Sequence, residues 1–178
     1  MGTAVDLLAR EMSETFHDVR SRLHGLSEDE FFWTPVPGSW TVFEDGGRWE
    51  HHYAEPDPDP APFTTIAWRL AHVAMCKVMY HEYAFGPGRL TWPGFEPPSS
   101  PETALELLDT GHGLLTEDLA ALDDDGLEAS VLTNWGERWP AWRIFWTMIH
   151  HDAHHGGEIG ALRDLYRVSG AGRFTAGG

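Results

Sequence analysis

A chain of 178 residues suits one domain, 1–178, with a sizeable core, and 28 acidic against 12 basic residues give a formal charge of −16 that repels nucleic acid and anionic membranes. One cysteine, Cys76, excludes an intrachain disulfide and with it the framework of a small secreted domain, so a reducing cytoplasm is the expected compartment. Met1 to Leu23 lacks the apolar core of a signal peptide, and no run approaches the roughly 20 apolar residues of a spanning helix, which leaves small molecules, metal ions or another subunit as expected partners.

Val5, Leu8, Met12, Phe16, Val19 and Leu23 recur every three or four residues and predict a first helix ending near Gly25. Ser27 and Glu30 make a capping-box pattern for a short turn through Phe32. Between Thr34 and Pro62, Pro35, Pro37, Gly38, Gly46 and Gly47 break regular structure and proline then alternates with acid, predicting a long irregular excursion. Its Trp40, Phe43, Trp49 and Tyr53 suit a lid, a pocket wall or a packed surface loop.

Phe63 to Phe85 is apolar almost all round and predicts a central second helix, stopped by Gly86, Pro87 and Gly88. After a Pro- and Trp-rich connection, Ser100, Pro101 and Glu102 open a third helix running to about Leu122, weakened by Gly111 and Gly113. Leu127 to Trp139 crosses over to a last helix ending near Gly170. With few β signals, the expected fold is all-α: an antiparallel four-helix bundle with a long crossover and the excursion between its first two helices.

The last helix carries the chemistry. His150, His151, His154 and His155, four of eleven histidines, fall within six residues. A helix turns about 100° per residue, so side chains four apart stand nearly above one another and two imidazoles can share an ion. Ile144, Met148, Ile159, Leu162 and Tyr166 form an apolar stripe that includes His151 and His155, whereas His150 and His154 lie on its flank. His151 and His155 are therefore the expected ligands.

Two adjacent turns of one helix cannot surround an ion, so a third ligand comes from elsewhere. His72 groups with Trp68, Met75 and Met79 on an apolar face, opposite Lys77, and completes a three-histidine set with an open position. Cys76, one turn on, is a fourth ligand, a redox thiol or a small buried apolar group. His81 and His112 are expected to face solvent, and His51 and His52 lie in the excursion. Of Asp152, Glu158 and Asp164, Glu158 projects closest to the ligand stripe and is the expected orienting group or catalytic base. Trp40, Trp68, Trp135 and Trp139 can line a pocket or pack in the core.

The stretch Ile66-Ala67-Trp68-Arg69-Leu70-Ala71-His72, followed by His151-Asp152-Ala153-His154-His155-Gly156-Gly157-Glu158-Ile159, resembles the DinB-like (DinB/YfiT) superfamily. Gly156 stands where the common family form has a basic residue, and Glu158 where it has Gln. The resemblance implies a four-helix bundle, commonly homodimeric. It implies a divalent metal, often zinc or nickel, on His72, His151 and His155, and small-molecule chemistry such as S-transfer from bacillithiol or mycothiol, or thiol-dependent maleylpyruvate isomerisation. Two classes of function follow: a metal-dependent transferase or hydrolase that activates a low-molecular-weight thiol or water, and a non-catalytic metal-binding sensor, store or stress protein. Purely structural histidines are a third.

Overall fold

The computed structural model describes residues 3–56 and 58–171. Among them, four long helices carry the fold: α1 (Ala4–Arg22), α3 (Ile66–Ala84), α4 (Pro101–Ala120) and α5 (Ala141–Ser169), with a single turn, α2 (Glu28–Phe31), after the first. The chain is mostly helical, and none of the described helices is long and apolar enough to cross a membrane.

Local chemistry sets the helix ends. Thr3 and Asp6 exchange side-chain and backbone hydrogen bonds in a capping box that opens α1. Ser27 Oγ accepts from the Glu30 amide, but the reciprocal bond is absent, because the Glu30 carboxylate is taken by Arg163 of α5. The second long helix starts at Ile66, not Phe63, because Thr65 caps it and the chain just before it is extended. There the Trp40 amide donates to the Phe63 carbonyl and the Thr65 amide to that of Trp40. Ser100 caps α4 with Pro101 in its first turn, as expected. Gly170, at φ 77°, ends α5 in the left-handed conformation.

Two expectations of irregular chain are corrected. The excursion folds an antiparallel hairpin, β1 (Val42–Asp45) with β2 (Arg48–His51), in the register Val42 opposite His51. Its two-residue turn is Gly46-Gly47, both at positive φ, the conformation that tight hairpins require and glycine supplies. A second small hairpin, β3 (Ser130–Leu132) with β4 (Arg138–Pro140), lies in the crossover before α5.

Helix α3 is central, packing on both α4 and α5, while α1 packs on α5 and meets α4 only slightly. Ile66, Ala67, Leu70, Ala71, Val73, Ala74, Met75 and Met79 are all buried along it. Gly111 permits the α3–α4 approach, since a Cβ there would stand 2.7 Å from Lys77 Cβ and 3.3 Å from the Ala74 carbonyl oxygen. Gly156 does the same for α1 and α5, where a Cβ would meet Val19 Cγ2 at 2.8 Å. A basic side chain at 156 would have to fit into that contact.

Lys77 does not mark a polar face of α3. It is fully buried, and its Nζ lies 2.7 Å from Asp152 Oδ2 of α5, itself buried. Lys77 Nζ also sits 5.8 Å from the Phe16 ring centroid. A second buried pair, Arg163 to Glu30 at 2.8 and 2.9 Å, fixes α5 to α2, and Arg163 Nη1 also donates to the carbonyls of Arg22 and His24 at the end of α1.

Candidate metal centre

Ile144, Met148, Ile159, Leu162 and Tyr166 are all buried, so the apolar stripe of α5 does face the core. His151 and His155 lie in that stripe and meet His72 on the neighbouring α3. The ring centroids stand 5.4 Å apart for His72 and His151, 5.0 Å for His72 and His155, and 5.2 Å for His151 and His155. Three imidazoles from two helices thus stand close together, each ring centroid within 5.4 Å of the other two. His150 and His154 are exposed on the flank.

Burial sets the protonation of the trio. It pushes His72 down to about 3, with His155, His151, Arg69 and His51 adding unfavourable charge. His151 falls to about 4 through burial and then the positive charge of Lys77. His155 falls to about 3 through burial, then His151 and Arg69. All three are neutral at neutral pH, the form in which imidazole binds a metal. His151 Nδ1 is buried with no hydrogen-bond partner among the described residues, a deficit that ligation would relieve. Neutral imidazoles are donors of the kind that divalent ions take.

Around the trio, each neighbour constrains one ring. His155 Nδ1 lies 2.6 Å from Glu158 Oε2, and Arg69 Nε lies 3.2 Å from the same oxygen. Trp68 stacks on His72, with centroids 5.1 Å apart and planes 7° from parallel. Trp40 packs on Trp68 at 5.7 Å, and Trp68 Nε1 donates to the His52 carbonyl, which sets the excursion against Trp68 beside His72. Cys76 Sγ is 3.9 Å from both His72 ring nitrogens, and burial pushes its thiol up to about 12. Donor atoms of His72, Cys76 and His151 lie within 4.8 Å of one another, as do those of His154, His155 and Glu158.

Other expectations divide. Trp40 and Trp68 stand at the trio, whereas Trp139 stacks on Tyr80 and Trp135 Nε1 donates to the Tyr80 hydroxyl, farther along α3. Asp152 is spent on Lys77, and Asp164 reaches Arg167 at the surface. His81 and His112 are not solvent-facing. His81 Nδ1 is 2.6 Å from Asp118 Oδ2, and His112 stacks on Phe16 at 3.6 Å and is pushed down to about 4 by burial and then Lys77. Arg69 escaped the sequence reading, although its place three residues before His72 puts it on the same side of a helix.

Among curated proteins, none matches the chain. The family model of the DinB superfamily matches residues 48–159, more than half of the chain, a span that runs from β2 into α5 and contains His72, His151 and His155. On that match the chain belongs to the DinB superfamily, a metal-binding superfamily.

Proposed function

We propose that this protein is a metal-dependent enzyme that activates a low-molecular-weight thiol or water for S-transfer or hydrolysis, with His72, His151 and His155 holding a divalent ion, zinc or nickel. The observation that carries the reading is the mutual approach of three neutral imidazoles to between 5.0 and 5.4 Å. In the same reading the four long helices form an antiparallel bundle, the substrate is a small molecule and the protein works as a homodimer. When bound, an ion with three neutral histidines keeps its full positive charge and lowers the pKa of a coordinated water or thiol toward neutrality.

The chain's own residues then have separate tasks. Glu158 accepts from His155 Nδ1–H and so holds the tautomer whose Nε2 lone pair is free to ligate. Arg69 Nε, 3.2 Å from the same carboxylate, helps to hold it in place. Trp68 fixes the plane of His72, and with Trp40 forms an apolar wall beside the trio that would exclude water from a bound electrophile. Glu158 is therefore a positioning residue for His155.

The test is a panel of low-molecular-weight thiols with electrophilic acceptors, run on the metal-loaded wild type and on His155→Ala. Turnover in the wild type that disappears in the variant supports the reading, and equal background rates in both overturn it. The position of Cys76 favours one further reading: a sulfur 3.9 Å from His72 can close the coordination set, which suits a non-catalytic metal centre. Cobalt substitution separates the two, since a thiolate ligand adds an intense sulfur-to-cobalt charge-transfer band that Cys76→Ser would abolish.

A further inference from the structure

Glu158 stands between an inner and an outer histidine. Its Oε2 is held by His155 Nδ1 at 2.6 Å and by Arg69 Nε at 3.2 Å, while Oε1 turns toward His154 Nε2 at 3.5 Å. His155 is almost fully covered, whereas the His154 side chain is 57% exposed. The separation between His154 Nε2 and Glu158 Oε1 is close to the roughly 3 to 3.5 Å that two donors of one ion adopt when each is about 2.0 to 2.2 Å from it.

A third imidazole lies one turn earlier on the same face. His150 is exposed, and its ring runs parallel to that of His154, with centroids 6.1 Å apart and planes 7° from parallel. Trp146 stacks on His150 in turn, at 5.6 Å and 22°. Trp146, His150, His154 and Glu158 therefore follow one another at four-residue spacing down one exposed edge of α5. Both imidazoles are exposed on one edge of the helix, so turning the His150 ring out of the stack would bring a nitrogen toward the ion that His154 and Glu158 approach.

We propose that His150, His154 and Glu158 form a second metal site, on the surface of α5, that takes a divalent transition metal such as nickel or zinc. Two imidazole nitrogens and one carboxylate oxygen suit these ions and discriminate against magnesium and calcium, which favour all-oxygen sets. Glu158 links this ion to the inner histidines, because its other oxygen holds His155. The proposal does not require the inner trio to bind metal.

The experiment is a nickel titration of tag-free, metal-stripped protein, followed by calorimetry and native mass spectrometry, on the wild type, His150→Ala/His154→Ala and His72→Ala. Both outer positions are exposed, so far-UV circular dichroism should show the double variant folded, and His150→Gln/His154→Gln provides a second test of the same donors. The proposal expects one nickel equivalent fewer in both double variants than in the wild type, and an outer equivalent that persists in His72→Ala. Loss of an equivalent in the double variants with no change in His72→Ala would support the outer site while refuting the inner one. Identical stoichiometry in the wild type and the double variants would overturn the proposal, as would no uptake by the wild type or magnesium uptake at the same positions.

Discussion

At the scale of single residues, the trio is governed by how burial treats imidazole. Water stabilises the charged ring, the interior does not, and three rings near one another cannot all carry a proton. Since His72, His151 and His155 stand at about 3, 4 and 3, protons should compete for them only well below the ordinary 6.5. Affinity for the inner ion should therefore hold nearly level from about pH 7 to about pH 5.5 and fall as pH approaches about 4. A chelator-competition titration checks this, and a steep loss centred near 6.5 would contradict it. Glu158 acts on a single hydrogen bond. Glu158→Ala should weaken the inner ion by about 10- to 100-fold, and Glu158→Gln, which keeps an acceptor oxygen, by less. The same competition assay measures both, and unchanged affinity in the alanine variant would remove the positioning role.

At the scale of elements, helix contacts turn on small residues and on one buried pair. Gly111 and Gly113 look alike in sequence, and both weaken α4 by propensity alone. Their surroundings differ, because a Cβ at 111 strikes α3 whereas a Cβ at 113 meets nothing within 4 Å. Gly111→Ala should therefore destabilise by about 1–3 kcal/mol, and Gly113→Ala should stabilise by about 0.5–1 kcal/mol. Urea denaturation of the two variants decides, and a shared sign would refute the packing account. Lys77→Met leaves Asp152 buried without its cation and should destabilise by about 3–5 kcal/mol. Adding Asp152→Val should restore much of that loss, since an apolar pair of nearly similar volume needs no desolvated charge. The last helix was legible to its ends, because Gly170 and the apolar stripe are local signals. The hairpin at Gly46-Gly47 was not read: the two glycines registered only as breakers, and flanking strands of four residues with mixed exposure carry little alternation.

At the scale of the whole molecule, the depressed histidines make the metal-free fold sensitive to acid. Each of His72, His112, His151 and His155 has a folded value of about 3 or 4, below the 6.5 of the unfolded chain. Below 6.5 the unfolded chain takes up protons that these folded rings refuse, so stability is fullest above 6.5 and declines as pH falls toward their folded values. Urea midpoints of the metal-free protein should drop between about pH 7 and about pH 5, with a shallower drop in His112→Phe. A midpoint that stays level across that window would show that the rings are not buried as described.

The sequence by itself determined what depends on near neighbours. Periodicity placed the long helices, caps and turn glycines marked most of their ends, and four-residue spacing turned His151 and His155 inward, because a helix repeats its faces every few residues. The family was readable too, from two short motifs. Only the tertiary structure decided what each face meets. A helical wheel assigns Lys77 to a polar side, but Asp152, 75 residues away, makes that side the interior. It ranks His150 and His154 as bystanders, yet Glu158 extends from the inner histidine toward the outer one. Such pairings follow from which helices pack together, and that choice is made by the summed burial of whole surfaces rather than by any local run of residues.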